Sequence, residues 1–320
     1  MLNPITKKRK VAIIGAGYTG ASIAYALSIK GIADEIVLID KDSEKAAGEV
    51  EDIRHGIPFI DTAEITLGDY FSCRDSSLVI ITAGRNRKPG ETRMDLYRDN
   101  SSIVTGIIRE LKKYYDGPVL MVTNPVDILT TMAAGQMGLP NGRVFGTGCL
   151  LDTSRLITRI ADYVGLKSTA ISGYVAGQHG DNQTPVWSQV TVAGMPVGEY
   201  CKTAGITWND TVKNDLQKKA MELGTKIIAG KGRTHYGVAT CVCLIADAVL
   251  NNRPTVACVS SVFDGEYGLS GIAISVPSII DEHGVKRRLM EPMTEEEESH
   301  LTRSGEALKD ALEKFEKGMD

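Results

Sequence analysis

At 320 residues the chain is long enough for one large domain or two of medium size, and too short for a large multidomain machine. Apolar residues make up 42% and charged residues 24%, a globular balance, and 36 basic against 40 acidic residues leave a formal charge of −4. That charge excludes a generally basic nucleic-acid binder and an acidic disordered chain. Glycine is in excess, with 33 copies against the usual level of about 7%. The chain therefore uses glycine for turns or for close backbone approach.

In chain order, the sequence opens with Met1-Leu2-Asn3-Pro4 and then the basic run Lys7-Lys8-Arg9-Lys10. That run leads into Val11-Ala12-Ile13-Ile14-Gly15, which reads as a buried strand and not as the apolar core of a signal peptide. The basic residues are expected to form a solvated arm before this strand. Residues 19–29 carry helical periodicity, residues 35–39 are strand-like, and 43–54 are polar and helical. Two further apolar runs, 78–81 and 119–122, are continuous and do not alternate, as in strands buried on both faces of a parallel sheet. Helices between such strands make βαβ units and predict a Rossmann-type doubly wound sheet.

The second half changes character and predicts an α+β region with antiparallel strands. Ala193-Gly194 suits a tight turn, and long helices are expected over 209–228 and 236–250. Antiparallel strands are expected at 255–263 and 273–280. Thr294 with Glu297 makes a capping box for a last helix, and Leu301, Leu308, Leu312 and Phe315 share its apolar face. The acidic run 295–298 is thus a helix start and not a metal site. The division predicted is 1–147 for a dinucleotide-binding domain and 148–320 for a substrate domain.

No apolar run approaches the roughly 18–20 residues that span a bilayer. The six cysteines form no CxxC pair and no ligand spacing with histidine, so reduced thiols, no metal and a cytoplasmic location are expected.

Gly15-Ala16-Gly17-Tyr18-Thr19-Gly20 is a GxGxxG between a buried strand and a helix, the context that gives this motif meaning. Gly15 permits the tight turn, Gly17 admits a pyrophosphate and Gly20 lets helix and strand pack closely. The helix start offers free N–H groups to phosphate. Asp40 ends the second strand, where a carboxylate accepts ribose hydroxyls and repels a 2′-phosphate. NAD is therefore favoured, although Lys41 follows directly.

Of the five histidines, His55, His283 and His300 lie in polar segments expected to be exposed. His179 follows an apolar run and stands between Gly177 and Gly180, sterically open to a ligand. Asp152 and Arg155 are spaced i and i+3, on one face of a helix. Asn124-Pro125 ends an apolar strand, and ligands of open α/β sheets bind beyond such ends.

With these residues in view, the chain resembles the L-lactate/L-malate dehydrogenase family along nearly its full length. The matching segments are 11–20, 36–40, 82–100, 122–128, 151–155, 177–181 and 185–189. The resemblance implies an NAD-dependent enzyme that interconverts a small L-2-hydroxy acid and its 2-oxo acid. It implies His179 as proton donor and acceptor, Asp152 as its ionic partner, and Arg155 as the fork that grips the substrate carboxylate. Arg93 would enter on a mobile loop and polarise the carbonyl, with 85–96 as the lid. Asn124, with a cis bond to Pro125, and Thr234 would line the substrate pocket. Thr19, Tyr70, Gly84, Val122 and Asn124 resemble cofactor-contacting positions. A homo-oligomer, tetramer or dimer, is implied as well, with no nucleic acid or membrane partner.

Within the family the position of Arg87 is typically glutamine in lactate enzymes and arginine in malate enzymes. Opposite a methyl group its charge would be desolvated and unpaired, and opposite a second carboxylate it would be paired. This favours malate and oxaloacetate, with lactate and pyruvate as the alternative, since Thr234 is of the lactate type. Ile157 and Ser172 stand where allosteric relatives carry an arginine and a histidine for fructose 1,6-bisphosphate, so no such activation is expected. Gln178 replaces the usual glutamate of lactate enzymes.

Overall fold

The computed structural model describes residues 8–60, 64–86 and 93–316. Arg87, and with it half of the expected lid, lies outside the described residues, as does the side chain of Arg93.

The first half builds β1 (Lys10–Ile14), α1 (Tyr18–Ile29), β2 (Glu35–Ile39), α2 (Ser43–Gly56), β3 (Glu64–Leu67), β4 (Leu78–Ile81), α3 (Arg93–Leu111), β5 (Val119–Met121), α4 (Val126–Met137) and β6 (Val144–Gly146). These six strands are parallel, in the order β3-β2-β1-β4-β5-β6. β1 and β4 are buried along their whole length, which is why residues 11–14 and 78–81 read as unbroken apolar runs. The chain order reverses between β1 and β4, and that crevice is where open α/β sheets bind ligands.

The second half adds α5 (Leu150–Val164), β7 (Ile171–Ser172), β8 (Val175–Gly177), β9 (Gln183–Pro185), β10 (Thr191–Val192), β11 (Met195–Pro196), α6 (Val197–Ala204), α7 (Asp210–Lys231), α8 (Tyr236–Leu250), β12 (Thr255–Asp264), β13 (Ser270–Asp281), β14 (Gly284–Arg288) and α9 (Glu295–Glu316). The expected Ala193-Gly194 turn joins β10 to β11 with φ of 49° and 84°, the two positive values of a type I′ hairpin. The capping box forms: Thr294 N–H donates to Glu297 and Glu297 N–H donates to Thr294 Oγ1.

Two features depart from the sequence reading. The antiparallel strands continue the parallel sheet, because β12 pairs with β6 at Ser260↔Gly146 and on its other side with β13, which pairs with β8, which pairs with β9. A three-residue β6 carries too little pattern to announce this seam. The expected basic arm is also corrected. Lys10 is buried inside β1 and pairs with Glu35 and Asp75, Arg9 pairs with Asp34, and Lys8 pairs with Glu35 and Glu64. The acids supplied by neighbouring elements, not composition, decide where those cations go.

Candidate active site

The glycine motif folds as its spacing predicts. Gly15 has φ of 115°, and a Cβ there would lie 2.6 Å from the backbone of Ala83. At Gly20 a Cβ would come within 1.8 Å of the Gly15 carbonyl oxygen, so only glycine lets α1 approach β1 this closely. At Gly17 an added Cβ meets nothing within 4 Å, and no side chain caps the helix start there. The start of α1 is thus left without a side-chain cap and with room beside Gly17, an arrangement compatible with a bound phosphate. Asp40 is held at the end of β2 by Ala16 N–H, at 2.6 Å, and by Asp42 N–H, at 3.0 Å. Thr19 lies in the first turn of α1, Tyr70 begins a short 3₁₀ turn after β3, and Val122 follows β5, nearly buried. Gly84 is exposed beyond β4, and a Cβ there would clash with Thr123 at 2.4 Å.

The second cluster forms where the parallel and antiparallel strands meet. His179 lies two residues past β8, with its side chain about a quarter exposed (26%). Its Nδ1 is 2.5 Å from Asp152 Oδ2. Asp152, in the first turn of α5, is almost fully buried and gives its other oxygen to Arg155 Nη1 at 3.1 Å. Burial pulls the pKa of His179 down, but the Asp152 carboxylate outweighs it and holds the imidazole above its ordinary value. Burial pushes Asp152 up in turn, yet His179 and Arg155 hold it below the usual carboxylate range.

Asn124 is exposed at the end of β5, joined to Pro125 by a cis peptide bond. Its Oδ1 accepts from Val126 N–H at 3.3 Å. Thr234 lies in the loop between α7 and α8, partly buried. Both flanking helices reach α5: Gly224 of α7 stands against the Arg155 guanidinium, and Gly237 of α8 against Leu151. Gln178, the unusual residue, donates its N–H to Ser304 Oγ at 2.9 Å and accepts from Asn182 Nδ2.

Three contributors escaped the sequence reading. Asn100 is fully buried and ties the loop base to the Asn124 turn, bonding Arg85 N–H, Arg85 O and Asn124 O. Asp127 accepts the backbone N–H of His179 at 2.7 Å. His235 is buried beside α1, with its Nδ1 2.9 Å from Ser22 Oγ. Each reads in sequence as an ordinary polar residue on or near a helix, and only the fold reveals its partner. His55, His283 and His300 are exposed as expected.

Fold and site together define a dinucleotide-dependent oxidoreductase in which a carboxylate-held histidine adjoins an arginine. Residues 9–146 match the lactate/malate dehydrogenase NAD binding domain, and residues 149–318 match the lactate/malate dehydrogenase alpha/beta C-terminal domain. The chain is 40% identical to the L-lactate dehydrogenase of Priestia megaterium, over 95% of each chain. It is 39% identical to that of Acetivibrio thermocellus, over 95% of this chain and 96% of the relative. Its structure is similar to that of the minor L-lactate dehydrogenase from Enterococcus mundtii in the ligands-bound form, with a TM-score of 0.92 and 39% identity over 96% of this chain and 98% of that one. The chain belongs to the lactate/malate dehydrogenase family, and its cofactor is NAD. No helix among the described residues is long and apolar enough to cross a membrane, and no group of three or more potential metal ligands occurs among them.

Proposed function

We propose that the enzyme interconverts L-malate and oxaloacetate. Arg87 carries this reading. A guanidinium closing over the substrate's side group would pair with a second carboxylate, whereas against a methyl it would be buried without a partner. Leaving a buried polar group unsatisfied can discriminate by on the order of 10⁴-fold.

In this reading Arg155 binds the carboxylate adjoining the carbonyl as a two-pronged fork. Its bond to Asp152 presets its orientation. Asp152 accepts from Nδ1 of His179, which leaves Nε2 to deliver the proton to the carbonyl oxygen. NADH, when bound, supplies the hydride to the carbonyl carbon. The products are the 2-hydroxy acid, the oxidised cofactor and a neutral His179. Arg93 would polarise the carbonyl, Asn124 and Thr234 would line the pocket, and closure of 85–96 would exclude water. Gly15, Gly17, Thr19, Gly20, Asp40, Tyr70, Gly84 and Val122 would hold the cofactor. A homo-oligomer in the cytoplasm, not activated by fructose 1,6-bisphosphate, completes the proposal. Exposed Tyr25 and Ile29 on α1 support association, and the reduced thiols support the compartment.

A second reading is L-lactate and pyruvate. The names of the relatives favour it over malate, and Thr234 is on its side. Whole-chain similarity, however, averages over hundreds of positions, and discrimination between these acids falls on few. Steady-state kcat/KM for oxaloacetate and pyruvate, measured side by side with NADH, decides between them. A higher value for oxaloacetate is expected, with Arg87→Gln moving preference toward pyruvate. A higher value for pyruvate overturns the malate reading and establishes the lactate one.

A further inference from the structure

The His179 site contains a buried acid for which neither the proton relay nor substrate binding accounts. Asp127 lies in the first turn of α4, two residues after the cis Pro125, and is 3% exposed. Its Oδ2 accepts the backbone N–H of His179 at 2.7 Å, across 52 residues of sequence. Among the described residues its Oδ1 has no hydrogen-bond partner, and neither do the buried hydroxyls of Thr130 and Ser260. Ser260 is nevertheless near enough to favour the charged carboxylate, though short of hydrogen-bond geometry. These groups surround the seam where β12 meets Gly146. A Cβ on Gly146 would come 2.5 Å from Thr130 Oγ1, so the seam is open only to glycine.

A buried carboxylate with an unsatisfied oxygen is costly and needs a reason. A leucine or threonine would pack at a helix start more cheaply. What an acid adds is an acceptor aimed at the His179 main chain, and a negative charge. We propose that Asp127 is a positioning residue for His179, fixing its main chain through the backbone N–H and placing a second buried negative charge near its imidazole.

Among the described residues, the charged and titratable groups around His179 and its two acids come from three elements. Asp127 comes from α4, Asp152 and Arg155 from α5, with Cys149 at the start of α5, and Cys258 from β12. Burial pushes both thiols well above their ordinary value, so they stay neutral. Burial also pushes Asp127 up to about 6. Above that pH it is an anion and adds to the pull of Asp152 on the imidazolium proton. Below it, only Asp152 does so. The acid on α4 thus joins the Asn124 turn at the start of its own helix to the loop that carries His179.

This inference rests on His179 being the proton-transfer group, and the test separates the two. In Asp127→Asn the side-chain oxygen still accepts the His179 N–H, but the charge is gone. The readout is the NMR titration of the His179 ring in the NAD-bound enzyme, its resonance assigned by its loss in His179→Asn. The midpoint should fall by about 0.5–1 pH unit in Asp127→Asn. The alkaline limb of kcat/KM for 2-oxo acid reduction should move the same way. A midpoint within about 0.2 unit of the unmodified enzyme overturns the charge role. If Asp127→Asn does not fold, the His179 backbone amide proton of the unmodified holoenzyme serves instead. It should shift in a step near pH 6, distinct from the titration of the ring, and absence of that step overturns the proposal. Full turnover in His179→Asn would sink the proton-transfer reading, while the titration would still report on Asp127.

Discussion

The proposed cofactor cradle, at the end of β1, and the histidine pocket, beyond β8, belong to strands of one sheet but are made of different material. At the cradle the chain presents backbone: three glycines, the uncapped start of α1, and one acid, Asp40, held by two N–H groups. In the pocket it presents buried charge, with Arg155, Asp152, His179 and Asp127 joined by three consecutive hydrogen bonds. A backbone site recognises by shape, so it is sensitive to added volume and tolerant of nearby charge. A charged site is sensitive to the loss of any one charge, because its neighbours are then left unbalanced in a medium of low dielectric constant.

The hardest test of this contrast is His179→Asn. With His179 as the proposed proton donor, its removal should lower the rate of 2-oxo acid reduction by roughly 10²–10⁴-fold. The affinity for NADH, read by fluorescence titration, should stay put, since nothing in the cradle changes. A large loss of NADH affinity would show that the two regions are not separable. Acidity sharpens the same point. Because Asp152 holds His179 protonated above its ordinary range, reduction should persist past neutrality and decline only as the imidazolium loses its proton at higher pH. Asp152→Asn removes that hold, and the decline should move to lower pH by about 1 unit or more.

Next in size is Gly20→Ala. The added methyl meets the Gly15 carbonyl oxygen at 1.8 Å, so α1 must withdraw from β1. Overpacking of this kind costs about 1–3 kcal/mol, which should appear as weaker NADH binding and a lower melting temperature. The pH profile of turnover should not move. If it does, the charges of the pocket depend on the packing of the cradle, and the contrast fails.

The two regions also differ in how much of them the sequence disclosed. The cradle was legible because it is local: strand, glycines, helix and acid follow one another within thirty-one residues of chain, from Lys10 to Asp40. The strands β1, β2 and β4 were legible for the same reason, through the apolar runs 11–14, 36–39 and 78–81. The pocket was legible only in part. Asp152 and Arg155 share one helical face, but their link to His179 spans 27 residues and became visible through family resemblance, not spacing. Asp127, Asn100 and Ser304 gave no signal, since a polar residue in a helix is normally a solvated one. The β6–β12 seam was missed because β6 has three residues and its partner begins more than a hundred positions later.

The smallest effects are expected on α9, where two hydroxyls give a matched comparison. Ser304 is buried, accepts Gln178 N–H at 2.9 Å and donates to the Asn182 carbonyl at 2.8 Å, so it clamps both ends of the loop that carries His179. Ser304→Ala leaves both backbone groups unsatisfied and should cost about 1–3 kcal/mol. Thr294 caps the start of the same helix through a 3.3 Å bond from Glu297 N–H, while Glu297 itself stays anchored by Ser188. Thr294→Ala should cost about 0.5–1 kcal/mol, the low end for a lost helix cap. Denaturant unfolding measures both costs, and kinetics tell the variants apart. Ser304→Ala should lower kcat/KM for the 2-oxo acid several-fold with NADH affinity unchanged, because it frees the histidine loop and not the cradle. Thr294→Ala, more remote from both, should leave kcat/KM within about twofold of the unmodified enzyme. Equal kinetic losses in the two variants would mean that α9 supports the pocket only through general stability, and that the clamp on Gln178 and Asn182 has no role of its own.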